Sequence, residues 1–164
     1  MSTTPLPLTV YPDPLLRRVA EEIPHNLIAS YGMLAQQMIQ TMYSDDGIGL
    51  AAPQIGKSIR LIVVSTKEKP LVLFNPKLSK FSLRKEILEE GCLSIPGVWG
   101  SVRRHKRLRW EGYDENGNPI SGTAEGLFAR VLQHEVDHIN GVLFIDRVIE
   151  ITRGELLAEE AKRS

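Results

Sequence analysis

Apolar residues recur every three or four positions in the first part of the chain, which predicts a helix at residues 27–44 with one apolar face. The apolar positions of this face are Leu27, Tyr31, Leu34, Met38 and Met42. The sequence Ser-Asp-Asp-Gly at 44–47 is typical of a helix end, because glycine readily leaves the helical conformation. Pro14 predicts a shorter helix upstream, since proline is favoured at the first helical position.

Short segments rich in β-branched and other apolar residues follow this helix and predict five strands. The segments are residues 60–65, 71–75, 85–89, 98–103 and 107–113. The sequence Asp-Glu-Asn-Gly at 114–117 predicts a hairpin turn, because asparagine and glycine tolerate a positive φ. We therefore expect short antiparallel sheets, followed by one more strand at 143–145 and a polar C-terminal helix at 155–162.

A second amphipathic helix is predicted at 123–139, with Thr123 as its N-cap and Asn140 and Gly141 as its end. Its inward positions follow the helical repeat and are Leu127, Val131, His134 and His138. The two histidines thus continue an apolar face that we expect to pack against the sheets. The predicted fold class is α+β, with short antiparallel sheets surrounding this central helix in a single domain of residues 1–164.

The composition is that of a soluble globular protein. Hydrophobic residues make up 42% of the chain, and no apolar run approaches the roughly 20 residues that cross a bilayer. Twenty basic residues balance twenty acidic ones, so the net charge gives no reason to expect nucleic-acid binding. The single cysteine cannot close an internal disulfide, and the first residues lack the pattern of a signal peptide. We expect a cytoplasmic protein; a mature organellar form fits the same features.

The candidate chemistry lies in Gln-His-Glu-Val-Asp-His at 133–138 and in the lone cysteine, Cys92. On a helix, His134 and His138 point the same way and can bind one metal ion, with Glu135 beside them. A thiolate from Cys92 would supply a third ligand. Three protein ligands leave a position for water, which is typical of a catalytic site. The alternative is two hydrogen-bonded histidines and a cysteine that only fills space.

Other metal-site classes fit less well. The extended metalloprotease pattern places a third histidine six residues after the second, and Phe144 stands there, although Gly141 fits. Proteases of another class take a glutamate from a later helix, for which the candidates are Glu155, Glu159 and Glu160. A structural zinc site needs four ligands, often as Cys-x-x-Cys pairs, and the chain has none. A zinc peptidase and a noncatalytic metal-binding module remain as alternatives.

The glycine-rich sequence Gly-Ile-Gly-Leu-Ala-Ala-Pro-Gln at 47–54 formally fits a dinucleotide-binding fingerprint. That fingerprint requires a strand before it and a helix after it. Here a predicted helix precedes the glycines and Pro53 comes soon after them, so nucleotide binding is disfavoured. Small residues in a row allow a ligand backbone to approach closely, and Gln54 would bring an amide to the wall of such a site.

Taken together, these segments resemble the peptide deformylase family. The sequences at 47–54, at 90–94 (Glu-Gly-Cys-Leu-Ser) and at 133–138 resemble its three motifs in order and spacing. The likeness extends to Pro-Asp-Pro-Leu-Leu at 12–16 and to residues 141–147, and so covers most of the chain. The resemblance implies an enzyme that removes the formyl group from the N-terminal formyl-methionine of nascent peptides and releases formate.

The resemblance also implies roles for individual residues. Cys92, His134 and His138 would hold Fe²⁺, for which Zn²⁺, Ni²⁺ or Co²⁺ can substitute. Glu135 would be the general acid and base, while Gln54 and the backbone N–H of Leu93 would stabilise the oxyanion. The ion pair of the family would join Glu90 and Arg104. The stretch Gly-Val-Trp-Gly at 97–100 lacks the basic residue that some relatives use to contact the substrate backbone.

Further expectations concern substrate and partners. We expect the substrate to bind at Ile48, Gly49, Leu88, Gly91, Leu127 and Val131. The apolar members would form the methionine pocket, with core packing as the alternative, and Gly49 would pair with the substrate as an added strand. The basic cluster at 103–109 is expected to be a solvated strand face, with ribosome contact as the alternative. We expect a monomer.

Overall fold

Eight β-strands in two antiparallel sheets and two α-helices form the fold over residues 4–156, the part of the chain that the computed structural model describes. The five-stranded sheet has the order β1-β2-β3-β6-β7 and the three-stranded sheet the order β4-β5-β8. The strands are β1 (Gly49–Ala51), β2 (Leu61–Val64), β3 (Leu71–Ser79), β4 (Lys85–Cys92), β5 (Ile95–His105), β6 (Arg107–Tyr113), β7 (Pro119–Glu125) and β8 (Val148–Arg153). The predicted α+β class with antiparallel sheets is confirmed.

Helix α1 (Gly32–Ser44) confirms the first predicted helix, although its first turns, His25–Tyr31, form a 3₁₀-helix. Its buried side chains include Met38 and Met42, which pack in a core with residues of β1, β2 and β3. The methionines therefore belong to the core, as their spacing predicts. The short helix expected at Pro14 is a 3₁₀-helix, Pro14–Arg17.

Helix α2 (Gly126–Ile139) begins later than the sequence predicts. Thr123 is not its N-cap: it lies in β7 and pairs with Arg109 of β6. The hairpin turn at 114–117 requires a partner strand for β6, and this cross-strand pairing prevails over the local capping signal. The expectation that Leu127 faces inward is also wrong, since Leu127 stands in the first turn and is 62% exposed.

The region after α2 differs from the prediction as well. The expected strand at 143–145 is instead a 3₁₀-helix, Phe144–Asp146, because the Asp146 carboxylate accepts a hydrogen bond from the Leu143 N–H (2.9 Å) and closes a turn. The strand comes next, as β8, which pairs with β5. Apart from its first two positions, the predicted helix at 155–162 lies outside the described residues.

Helix α2 contacts both sheets, and this placement builds the site. Ala129, Leu132 and Ile139 pack in a core with residues of the five-stranded sheet. On another side of α2, Arg130 donates hydrogen bonds to backbone oxygens of β4 and β5, which belong to the three-stranded sheet. Residues of α2 between these two sides therefore lie where the two sheets meet. Within residues 4–156, neither helix is long and apolar enough to cross a membrane.

Candidate metal centre and active site

Three potential metal-ligating atoms converge between β4 and α2. The Sγ of Cys92 lies 3.3 Å from Nε2 of His138, and the Nε2 atoms of His138 and His134 are 3.2 Å apart. All three atoms lie within 4.8 Å of one another. Nitrogen and sulfur donors about 2.0–2.3 Å from one tetrahedral ion are separated by similar distances, roughly 3.3–3.6 Å. The donor set therefore fits a single divalent cation.

Local backbone geometry brings these atoms together. The histidines are four residues apart on α2, so their rings lie on the same face of the helix. Cys92 ends β4, where the pairing with β5 shifts register between Gly91 and Cys92. Such an irregularity redirects a side chain at a strand end. It places the sulfur beside the histidine rings.

Glu90 fixes the orientation of His134. The Nδ1–H of His134 donates to Oε1 of Glu90 at 2.8 Å, so the lone pair of Nε2 remains available for a metal ion. Burial opposes ionisation of Glu90, but hydrogen bonds from His134 and Arg104 outweigh it and hold the pKa of Glu90 well below its usual range. The carboxylate thus stays anionic and keeps the imidazole in the tautomer that can bind a metal.

Buried arginines surround Glu90. Arg104 donates two hydrogen bonds to it, each of 2.9 Å, which is the ion pair that the resemblance implies. Arg130 donates a third, of 2.6 Å. Arg104 also bonds Asp137, which accepts two further hydrogen bonds from Arg147. The network ties β4, β5 and α2 together around the histidines.

We expect the substitution Arg104→Met to lower the free energy of unfolding by about 3–5 kcal/mol, because it leaves Glu90 and Asp137 buried without their shared cation. The matched control is Arg107→Met. Arg107 pairs with Glu125 at 3.3 Å, with side chains 62% and 67% exposed, and should contribute less than about 1 kcal/mol. Urea denaturation of both variants measures the difference. Equal losses would show that the buried network adds no more than a surface pair.

Glu135 has a free carboxylate oxygen in the site. The residue is 4% exposed, and its Oε2 has no hydrogen-bond partner among residues 4–156. Burial raises the pKa of Glu135 to about 7, whereas a cation held by the neighbouring ligands would favour the ionised form. A buried polar atom without a partner requires an explanation, and a water molecule or ligand bound beside the three donors would supply one.

Gly49 allows close approach to this carboxylate. A Cβ atom at Gly49 would lie 2.6 Å from Oε1 of Glu135 and 2.8 Å from a methyl group of Val131. A side chain at this position would therefore displace Glu135 and Val131. The backbone of β1 can therefore lie directly beside the acidic group, at the edge of the five-stranded sheet.

Gln54 directs an N–H toward the metal ligands. Its Oε1 accepts a hydrogen bond from the N–H of Ala51 (2.9 Å), which fixes the orientation of the amide. The Nε2 group then lies 3.5 Å from the sulfur of Cys92 and 3.2 Å from the hydroxyl of Ser94. Leu93 adjoins the same space. Gln54 is buried, so this donor is held in place.

A cavity of about 530 Å³ opens onto these groups. Most of the predicted substrate-binding residues line it, namely Ile48, Gly49, Gly91, Leu127 and Val131. Leu88 does not: it lies farther along β4, opposite Val102, and is 44% exposed. The sequence reasoning also missed Arg130 and Trp99. Arg130 precedes His134 by four residues, so helical spacing could have identified it.

Among residues 4–156 the alternative sites find no support; Glu159 and Glu160, two of the glutamates considered for a zinc peptidase, lie outside this range. The position at which a protease would carry its third histidine holds Phe144, which stacks on the ring of His134 at 6.2 Å. The third donor beside the histidines is the sulfur of Cys92. An antiparallel fold with three converging donor atoms, a buried glutamate and an apolar cavity is typical of a metal-dependent hydrolase.

Comparisons with known proteins agree with this class. Residues 5–154 match the family model of polypeptide deformylase. The peptide deformylase of Desulforudis audaxviator is 46% identical over 142 residues, which cover 86% of this chain and 92% of that protein. The chain belongs to the peptide deformylase family, whose members are metal-dependent enzymes.

Solved structures extend the similarity to the fold. The peptide deformylase of Synechococcus elongatus, solved in complex with actinonin, has a TM-score of 0.84 and 45% identity, covering 90% of this chain and 83% of that one. A class I type b peptide deformylase from Acinetobacter baumannii, solved with bound Met-Ala-Ser, has a TM-score of 0.86 and 31% identity, covering 90% of this chain and all of that one. The fold is that of the family.

Proposed function

We propose that the protein removes the formyl group from the N-terminal formyl-methionine of peptides by hydrolysing its amide bond, and that it releases formate. The observation that carries this proposal is the unpartnered carboxylate oxygen of Glu135 beside three converging metal donors. The cavity around them accepts an apolar side chain. The relative that binds Met-Ala-Ser, a peptide that begins with methionine, supports the same substrate class.

Cys92, His134 and His138 would hold the metal. A divalent ion held there would lower the pKa of a bound water molecule and polarise the formyl oxygen. Glu135 accepts the proton of the attacking water and later donates it to the amine that leaves. The carboxylate is buried and lies on the same helix as two of the ligands, so it has little freedom to move away from the reacting atoms.

Gln54 and the backbone N–H of Leu93 stabilise the negative charge that develops on the formyl oxygen. We expect Gln54→Glu, which removes the N–H donor with almost no change of shape, to lower kcat by about 10²–10³-fold. Formate release measures the effect. Gln36→Glu is the matched control, because Gln36 lies on α1 and bonds Glu115 outside the cavity. A Gln54 variant with the kcat of this control would exclude the oxyanion role.

The side chain of the methionine would bind against Ile48, Leu127 and Val131. Ile48 and Leu127 are 51% and 62% exposed although they border the cavity, which favours a binding role over core packing. Gly49 of β1 and Gly91 of β4 also line the cavity. An extended peptide would add to the edge of β1 as a further strand.

We propose Fe²⁺ as the resident metal. One thiolate and two imidazoles suit iron and zinc alike, so the choice follows the resemblance to the family. A ferrous thiolate site open to a cavity oxidises readily. Activity of the iron form should fall in air or peroxide and persist with Ni²⁺ or Co²⁺; equal stability of all forms would count against iron.

The remaining proposals concern the protein's surroundings. We propose a cytoplasmic monomer that meets its substrates as they leave the ribosome. Arg103, Arg107 and Arg109 are exposed, and Arg107 pairs with Glu125. Exposure to solvent therefore explains the basic cluster, and contact with nucleic acid is not required. Salt-sensitive binding to ribosomes that weakens on charge reversal would favour direct contact, and its absence at low salt would exclude it.

The decisive assay uses the purified protein with formyl-Met-Ala-Ser, formate detection and metal analysis. We expect one equivalent of formate per peptide and one metal ion per active chain. Acetyl-Met-Ala-Ser is the matched control, because it should not be hydrolysed at a comparable rate. Cleavage of internal peptide bonds without formate would instead identify a zinc peptidase.

A further inference from the structure

The loop between β3 and β4, residues 80–84, presents apolar side chains that the fold leaves open to solvent. Leu83 is 100% exposed and Phe81 is 43% exposed. Ile87, near the start of β4, is 47% exposed. Single apolar residues scattered over a surface need no explanation, but a group of them commonly marks a site of interaction. We call the exposed side chains of this loop and of the adjoining strand ends the loop surface.

Ser82 holds the loop against the turn between β5 and β6. Its hydroxyl accepts hydrogen bonds from the N–H groups of Lys106 (3.1 Å) and Arg107 (3.0 Å) and donates one to the carbonyl of Arg84 (2.7 Å). The N–H of Ser82 donates to the carbonyl of Arg107 (2.9 Å), and the Nδ1–H of His105 donates to the carbonyl of Ser82 (2.7 Å). The apolar side chains are thus presented on a fixed backbone, which lowers the entropy cost of using them in binding.

Basic residues surround these apolar side chains. Residues 80–85 read Lys-Phe-Ser-Leu-Arg-Lys and contain no acidic residue. Arg109 of β6 pairs with Ser79, the residue just before the loop. Two exposed carboxylates at the border, Glu89 and Glu125, each pair with an arginine. The exposed basic residues of the loop surface are Lys80, Arg84, Lys85, Arg103, Arg107 and Arg109.

The strand register brings the apolar and basic groups to one face. Across β4 and β5, Lys85 pairs with His105 and Ile87 pairs with Arg103, so these four side chains lie on the same side of the sheet. The ring of Phe81 lies 4.8 Å from the ring of His105. Exposure to solvent explains the charges of this face, but it does not explain the apolar side chains among them.

We propose that the loop surface binds the surface of an anionic lipid bilayer. Phe81 and Leu83 enter the headgroup region, and the basic residues contact the lipid phosphates. Binding at such an interface combines buried apolar area with attraction to anionic lipids, and each lysine or arginine near the leaflet strengthens it about fivefold. Nucleic acid attracts the same charges, but bases bind by stacking on flat side chains, and the fully exposed Leu83 has none to offer.

Strand β4 separates the loop surface from the proposed metal ligands. Lys85 begins this strand and Cys92 ends it, and seven steps of about 3.3 Å place the two residues roughly 23 Å apart. The described residues that line the cavity include none of the loop surface. A protein bound to a bilayer through this surface therefore keeps its cavity open to peptides.

The test is co-sedimentation of the protein with vesicles of phosphatidylcholine alone and of phosphatidylcholine mixed equally with phosphatidylglycerol. We expect binding only to the mixed vesicles, and raising the salt from about 50 mM to about 500 mM should release most of the protein. Leu83→Ser should weaken binding about fivefold or more, because it removes apolar area that the bilayer buries. Met33→Ser is the matched control, since Met33 is 73% exposed on α1, and it should bind as the unmodified protein does.

A pair of double variants tests the charges. Lys80→Glu with Lys85→Glu should weaken binding by at least about 50-fold, because two attractive charges become repulsive. Lys57→Glu with Lys67→Glu makes the same change in net charge at two other exposed lysines. Lys67 precedes β3, whereas Lys80 follows it, so the control lysines include one at the far end of the strand. This control should lose far less affinity.

Leu83→Trp provides a direct measure of insertion. Lipids that carry bromine on their acyl chains should quench the added fluorescence of this variant, whereas the added fluorescence of Met33→Trp should stay unchanged. Formate release from formyl-Met-Ala-Ser should be the same for Leu83→Ser and the unmodified protein, because the loop surface lies outside the cavity.

The outcomes decide between a bilayer and other anionic partners. Failure to bind the mixed vesicles at low salt overturns the proposal. Binding that depends on the lysines but not on Leu83, or polyuridylate RNA that binds more tightly than the vesicles do, identifies a nucleic-acid surface and also overturns it. Vesicle binding that both Leu83→Ser and the Lys80 and Lys85 double variant weaken, without loss in their controls, supports the proposal whether or not the protein releases formate.

Discussion

Glu135→Gln should lower kcat for formyl-peptide hydrolysis by about 10²–10⁴-fold while the protein keeps its metal. Glutamine has nearly the shape of glutamate but cannot accept the proton of the attacking water at neutral pH. Glu135 is not one of the three converging donor atoms, so metal content should stay at the level of the unmodified protein. Formate release and elemental analysis of the same sample measure the two quantities.

Glu125→Gln provides the control for this experiment. Glu125 immediately precedes α2 and its side chain is 67% exposed, so the same chemical change occurs next to the same helix but outside the cavity. We expect nearly full activity. If Glu135→Gln retained more than half of the turnover, or if both variants lost activity equally, another group would have to move the proton.

Cys92→Ala should abolish both metal retention and turnover. The change leaves two imidazoles, 3.2 Å apart at their Nε2 atoms, and two neutral donors bind a divalent ion far less tightly than two donors and a thiolate. Changing a group that only supports a ligand typically costs 10–100-fold in affinity. We expect a larger loss here, measured as the metal-to-protein ratio after dialysis.

Metal removal from the unmodified protein is the matched comparison. A chelator should abolish its activity, and added Ni²⁺ or Co²⁺ should restore it. The Cys92 variant should not recover under the same conditions, although its circular dichroism should still show the native fold, since Cys92 is one half-buried side chain at a strand end. A variant that kept one equivalent of metal would show that the sulfur is not a ligand.

Local sequence signals predicted the elements that carry the chemistry. Two histidines four apart on an apolar face placed α2 against the sheets, and short β-type segments indicated the positions of β2 through β6. The signals were less reliable where two local preferences competed. Thr123 is a good N-cap, but its strand completes a hairpin with β6. Pairing across a sheet depends on a distant partner, which a capping pattern does not reveal.

The supporting contacts of the site were harder to predict than its reactive groups. Cys92, His134 and Glu135 belong to residue types that commonly bind metals or transfer protons, so the sequence alone identifies them as candidates. Arg130 donates a hydrogen bond to Glu90, and Asp137 accepts one from Arg104. The sequence does not reveal these contacts, because residue type alone does not distinguish a buried arginine from an exposed one. Leu88 is 44% exposed and is not among the residues that line the cavity, so its role in substrate binding stays a prediction.

Helix α2 carries two of the three candidate metal donors and Glu135, the proposed proton-transfer group, whereas the third donor belongs to the β4–β5 hairpin. Any small displacement of the helix moves His134, Glu135 and His138 as a rigid body and leaves their mutual spacing unchanged. What can vary is their separation from Cys92. Hydrogen bonds of Arg104 and Arg130 hold the helix against the hairpin. We therefore expect a bound ion to be released when α2 separates from the β4–β5 hairpin.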